Sequence, residues 1–504
     1  MKPSHPLLFI GLDAAEPSLL HRWSACGALP TLAQLSSEGV QGAILNSPGI
    51  YTGSVWPSFH TGTNPGRHGR YFYRQLKVGT YNVTVFDDRS LSEPVFWKRL
   101  DDQQLKVAIV DLPKAPLVEM DNGIQLRDWG LHDSAPVPSS FPATLSNDVL
   151  DRFGQEPVGP CDVSMNTKAG AQGLCDSLLQ RIEQKTEMVT SLLSQDDWDL
   201  FATAFGDSHC AGHQFWALHD SSHPNHDANL LDTLGEDPLL KVYVALDKAI
   251  GRIIAAAGNR VNVVVLASHG MGAHYDGTFM LDDVLRRLDG SKIPDSTKSL
   301  RMMQRLWHKM PGELRTQLMP LSDRFYDALA GRGRSKRRCF VVPTNDNCAG
   351  IRINVKGREP NGIVQAGAEF DAYCDSLESD LCEIVNAETG APMVNEVLRT
   401  AEHFPGKQQE NLPDLLVRWN RSSPVRKIQS EKIGTIARNY SGIRSGDHRN
   451  SGWFYALGPD LATNVEVAGV EMIDFAPTIA ALLGVELTGV DGAPIESLFR
   501  SGPV

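Results

Sequence analysis

Leu7-Leu-Phe-Ile-Gly-Leu12 is an unbroken apolar run that stops abruptly at Asp13-Ala-Ala-Glu16-Pro17. Short, continuous apolarity of this kind marks a strand covered on both faces, the pattern of parallel sheets. Open sheets of that class hold their ligand sites beyond the carboxyl ends of the strands. Asp13 therefore stands where chemistry is expected, although an Asp capping a helix that begins near Pro17 reads the same way.

Strand-like runs recur at Val40–Leu45, at residues 106–110 and 198–205, and most strongly at Asn262–Ala267 (Asn-Val-Val-Val-Leu-Ala). Between them lie amphipathic pieces at 18–25 and 32–38 and helical periodicities at 178–193 and 241–257. This alternation predicts an α/β fold with a mostly parallel central sheet flanked by helices. Further along, 350–355 and 413–419 read as strands, 361–387 as a helix, 452–457 as a late strand and 473–483 as a closing helix. From 279 to about 342 the chain turns rich in Arg, Met and Leu at helical spacing and carries the basic run 331–338, read as a solvated loop. The expected organisation is a catalytic core of residues 1–278 and 395–504, with an inserted helical cap over 279–394 facing the substrate.

The 504 residues are 41% hydrophobic and 7% aromatic, as in a soluble globular protein. No apolar run reaches membrane-spanning length, and 7–12 is too short for a signal-peptide core, so the expectation is a cytoplasmic protein without a membrane partner. A formal net charge of −12 argues against a nucleic-acid polymer as partner. It would also repel a small anionic substrate unless bound cations reverse the sign locally. The eight cysteines show no CxxC pair, so neither a disulfide framework nor a cysteine zinc site is indicated.

Five segments carry the residues suited to chemistry. Asp13 ends the first strand. Residues 51–69 (Tyr-Thr-Gly-Ser-Val-Trp-Pro-Ser-Phe-His-Thr-Gly-Thr-Asn-Pro-Gly-Arg-His-Gly) are dense in hydroxyls, Gly and Pro, with Ser54 able to open a helix and Thr52 just ahead of it. After the strand at 198–205 comes Asp207-Ser-His209-Cys-Ala-Gly-His213. On a helix, His209 and His213 stand at i and i+4, which lets two imidazoles share a cation, with Asp207 as a further carboxylate ligand. Ser268-His269-Gly-Met-Gly272 ends the strongest strand, and Asp447-His448 precedes the late one. Two bound metal ions could activate a Thr hydroxyl, a weak nucleophile unassisted, and hold a phosphoryl oxygen.

The pattern resembles the alkaline phosphatase superfamily, and within it the type I phosphodiesterase/nucleotide pyrophosphatase branch and related phosphohydrolases. Asp13 matches that branch's strand-end Asp. Thr52 lies ten residues before Gly62, and Pro65-Gly-Arg-His-Gly69 completes the motif. Gly446-Asp-His448, Asp474-Phe-Ala-Pro-Thr478 and Asp491-Gly492 resemble its late features. The resemblance implies a metal-dependent hydrolase of phosphate mono- or diesters with Thr52 as nucleophile, or Ser54 if the register differs by two. It implies one metal held by Asp13, Thr52 and His269, with Ser268 a weak partner. The other falls to His209, His213 and His448, with Asp207 in reserve. Zinc suits such imidazole-rich sets, with manganese the alternative. Two positions depart from the family: His209 stands where Asp is usual before the four-residue step to His213, and Ser268 replaces the Asp of Asp-His-Gly-Met. Sulfate-ester hydrolysis, phosphomutase chemistry and a non-catalytic metal-binding role are the competing expectations. No Cys-x-Pro-x-Arg lies near Thr52 to favour the first.

Overall fold

The computed structural model describes residues 3–85, 91–131, 137–159, 161–162, 167–290, 333–345, 347–440 and 442–500. Its centre is a nine-stranded sheet. The strands are β1 (Leu7–Leu12), β2 (Val40–Leu45), β3 (Val107–Val110), β4 (Gly123–Arg127), β5 (Ser139–Phe141), β6 (Leu200–Phe205), β7 (Asn262–Ala267), and β10 (Ser451–Leu457) and β11 (Val465–Glu471). Outside this sheet, β8 (Gly270–Ala273) and β9 (Gly446–Arg449) form a separate antiparallel ribbon. The sheet order is β11-β2-β10-β7-β1-β6-β3-β4-β5. The run β7-β1-β6-β3-β4 is parallel throughout, while β5 and β10 pair antiparallel. The fold is thus the expected α/β type, a large mixed and mostly parallel sheet with helices on both sides.

β1 is covered on both faces because its alternate residues enter different cores. Leu8, Ile10 and Leu12 pack with helices α2 (Lys168–Leu193) and α4 (Pro238–Ala257), whereas Leu7 and Phe9 pack with α1 (Tyr51–Thr61) and the helix Phe475–Leu482. The register then fixes the site. Leu12 lies level with Phe205 on one side and Ala267 on the other, so the chain segments following the three central strands leave the sheet side by side. Those segments begin at Asp13, Gly206 and Ser268.

The N-terminal and C-terminal motifs meet on the far side of α1. Asp491 Oδ1 receives Arg67 Nη1 at 2.8 Å, its Oδ2 receives the Asn64 backbone N–H at 2.9 Å, and its own N–H donates to Gly62 O at 2.8 Å. His68 is buried and shares a hydrogen bond of 3.0 Å with Ser58 Oγ. Pro65–Gly69 and Asp491-Gly492 are therefore a latch that supports α1.

Two expectations need correction. The helix of the 51–69 stretch starts at Tyr51, not Ser54, so Thr52 lies inside its first turn. Ser54 is a buried helical residue whose Oγ donates to Ile50 O at 2.9 Å. Gly53 explains how the helix tolerates this position: a Cβ there would stand 1.9 Å from the Tyr71 carbonyl oxygen, where the next loop crosses. The region expected as a helical cap is, among its described residues, a mixed α/β unit. It has a four-stranded antiparallel sheet in the order Cys339–Val342, Cys348–Ile353, Leu415–Trp419, Val394–Arg399, against which helix Ala368–Cys382 packs. This sheet draws strands from both sides of residue 395, and the helix is shorter than the expected 361–387. Residues 291–332, most of the 279–342 stretch where helical spacing is read, lie outside the described residues.

Candidate active site

Three of the five segments follow adjacent strands, and the ribbon brings a fourth. Helix α3 (Asp207–His219) starts directly after β6, and Gly212 lets it approach β8 closely: a Cβ there would stand 2.5 Å from Met271 Cγ. β9 pairs with β8 so that His448 lies opposite Met271, on the face toward α3. The result is a convergence of three buried imidazoles. His209 Nε2 lies 3.0 Å from His213 Nε2 and 3.0 Å from His448 Nε2.

The partners on the outer side of these rings settle what the inner nitrogens are. His213 Nδ1 meets the Gly446 carbonyl oxygen at 2.8 Å, which can only accept. Arg444 Nη1, which can only donate, meets His213 Nε2 at 3.1 Å. His213 therefore carries its proton on Nδ1 and a lone pair on Nε2. His209 Nδ1 meets the Asp13 carboxylate (Oδ2) at 2.7 Å, which places its proton outward as well. An imidazole that donates outward to a carbonyl or carboxylate is the usual state of a metal-ligating His. The group His209, His213 and His448 fits a divalent cation on this donor chemistry.

Asp13 is drawn entirely into this support. Its Oδ1 accepts from Trp56 Nε1 at 2.8 Å and from Ser268 Oγ at 3.1 Å, while Oδ2 takes His209. Burial by itself would raise this carboxyl, but the His209 imidazole, with smaller help from His269 and Trp56, outweighs it and holds the group well below the usual carboxylate range. Ser268 Oγ also bonds His269 Nδ1 at 2.9 Å, leaving His269 Nε2 buried without a hydrogen-bond partner. Burial pushes the His269 imidazole down to about 4 and holds His448 well below its ordinary value, so both are neutral at pH 7.

Asp13, Ser268 and His269 thus form a hydrogen-bonded chain, with three of the Asp13 lone pairs engaged by Trp56, Ser268 and His209. Of the two ligand sets the resemblance implies, the imidazole set is, among the described residues, the one whose donor atoms converge. Thr52 is on the neighbouring helix end, where Asn347 Nδ2 donates to its Oγ1 at 2.7 Å. The adjacent Tyr51 donates its hydroxyl to His448 O at 3.1 Å and stacks edge-on near His269, with ring centroids 5.9 Å apart. Asp207 is not brought to the imidazoles. Its Oδ1 is bonded to Arg181 Nε of α2 at 2.8 Å, with both side chains buried. The helix that puts His209 and His213 on one face turns Asp207 about 200° from His209.

Trp56, Asn347 and Arg444 were not foreseen as site residues. Trp56 had a signal, being an aromatic N–H in a stretch otherwise rich in small polar residues; Asn347 and Arg444 had none. Arg444 also holds Asp162 with two bonds, of 2.9 and 2.7 Å.

The family model described as Type I phosphodiesterase / nucleotide pyrophosphatase matches residues 7–425. No curated protein matches the chain.

Proposed function

The chain belongs to the type I phosphodiesterase/nucleotide pyrophosphatase family, within the alkaline phosphatase superfamily, and is therefore a hydrolase of phosphoric esters; we propose that it cleaves small phosphate mono- or diesters through Thr52, with a divalent cation held by His209, His213 and His448. The observation that carries this reading is the convergence of three Nε2 atoms, with the protons of His209 and His213 directed outward. Zinc is the ion best matched to three imidazoles, with manganese the alternative. When bound, it supplies Lewis-acid polarisation of the ester's phosphoryl group.

The chain's own residues do the rest. Thr52 lies in the first turn of α1, where the helix dipole favours a developing alkoxide and an anionic phosphoryl group. Asn347 orients the Thr52 hydroxyl by donating to its oxygen. Attack forms a bond from Thr52 Oγ1 to phosphorus as the bond to the departing alcohol breaks. Water then takes the phosphoryl group and restores the hydroxyl. Arg444, at the edge of the imidazole group, is held by Asp162 and His213, so the bound cation offsets the repulsion expected from the acidic chain. Ser54 is less suited to be the nucleophile, since it is buried and bonded to Ile50 O.

Thr52→Ala tests this directly. Release of nitrophenol from 4-nitrophenyl phosphate and from bis(4-nitrophenyl) phosphate should fall to background, with thermal unfolding unchanged. A folded variant with undiminished turnover would sink the Thr52 assignment.

A further inference from the structure

The ribbon that delivers His448 has a second polar face. Along β9 successive side chains point to opposite sides, so Asp447, opposite Gly272, projects from the other face of the ribbon, with its Oδ1 still 3.1 Å from His448 Nδ1. There it meets His274 and Asp276, from the segment that links β8 to helix Thr278–Leu288. One donor atom from each of His274, Asp276 and Asp447 lies within 4.8 Å of the others. All three side chains are buried, at 3%, 1% and 3% exposure.

The carboxylates are arranged alike. Asp447 Oδ1 accepts the His448 backbone N–H at 2.8 Å, and Asp276 Oδ1 accepts that of Thr278 at 2.9 Å. Each is anchored through one oxygen and turns the other toward His274 Nε2, which is 3.1 Å from Asp276 Oδ2 and 4.0 Å from Asp447 Oδ2. Tyr440 stacks on the His274 ring with centroids 4.0 Å apart and fixes its plane. Asp447 Oδ2 is buried yet receives no hydrogen bond; Arg421 Nη2 stands 3.5 Å from it as a charge neighbour only. A buried anionic oxygen without a donor is costly, and a cation shared with the two facing groups removes that cost.

We propose that His274, Asp276 and Asp447 form a second divalent-cation site behind the ribbon, adjoining the imidazole group through the Asp447–His448 contact. One imidazole with two carboxylates is a harder donor set than three imidazoles, so manganese is preferred over zinc there. The ion ties the 274–276 segment to β9 and so holds the strand that presents His448. This assignment stands independently of the ester-hydrolase reading.

Manganese titration of the metal-free, full-length protein, followed by the electron paramagnetic resonance of free manganese, tests it. In a His213→Ala background, which disables the imidazole group, about one equivalent should still bind. Adding Asp276→Asn or His274→Gln should weaken that binding at least about tenfold. No binding to folded His213→Ala protein, or binding indifferent to both added changes, overturns the proposal. Should His213→Ala fail to fold, Asp276→Asn alone must lower the manganese stoichiometry by about one equivalent relative to the unmutated chain, and an unchanged stoichiometry refutes the site. Failure of the imidazole assignment has a different signature: His213→Ala would bind as many ions as the unmutated protein.

Discussion

The two halves of the active site use similar residues to opposite ends. In the imidazole half, His209 and His213 direct their ring protons outward, to Asp13 and Gly446, and leave lone pairs facing inward. In the half formed by Asp13, Ser268 and His269, the polar groups bond one another. The difference comes down to Ser268. A hydroxyl can donate to Asp13, which a carboxylate in its place could not do without a proton. One hydrogen-bonded carboxylate then stands where two adjacent carboxylates would need a cation. The convergent imidazole nitrogens thus lie in one half, and Asp13 holds the outward ring proton of His209.

The most damaging way to test this contrast is His213→Ala. It removes one of the three convergent lone pairs and should lower ester hydrolysis on the order of 100-fold or more. It should also abolish the rise in melting temperature that zinc gives the unmutated protein. Undiminished zinc stabilisation would place the cation elsewhere and end the comparison.

Ser268→Asp sharpens it from the other side. Two carboxylates about a hydrogen bond apart should destabilise the metal-free protein by roughly 1–3 kcal/mol. A second cation should then bind about tenfold more tightly than in the unmutated protein. Calorimetric metal titration together with melting curves, each with and without zinc, reads both effects. If neither changes, the serine is not what sets the halves apart.

Acid separates the site from its support more gently. His60, within α1, and His68, against Ser58 of that helix, are buried, and burial pushes them down to about 4 and about 3. The unfolded chain takes up protons at these residues near pH 6.5, while the folded protein does not until pH 4 or below. Their neutral burial is therefore fully favourable above pH 6.5 and is progressively lost as pH falls toward 4, at roughly 1 kcal/mol per pH unit for each. Urea melts of metal-free protein over this range should show that slope, and His60→Gln should reduce it.

The central sheet was legible in the chain because apolar continuity and period are local properties. β1, β2 and β7 fall on the expected residues, and β3, β6 and α4 differ only at their starts. His209 and His213 were legible as a pair for the same reason, since helical spacing alone aligns them. What the spacing left open was Asp207, a neighbour in sequence that the helix turns to Arg181. Nor could composition distinguish a cap of helices from a small sheet that recruits Leu415–Trp419 from beyond the expected boundary.

The amino-acid order by itself determined which strands form, that a polar residue follows β1, β6 and β7 within two positions, and that these ends share one edge of a parallel sheet. Tertiary structure decided which atom of each polar residue faces which partner. Asp13 meets His209 across 196 residues and Ser268 across 255, contacts that no local pattern encodes. Secondary structure follows from backbone geometry and periodic burial within a short window. The proton positions that make three imidazoles into a cation site follow only from carbonyls and carboxylates that distant strands bring within hydrogen-bonding distance.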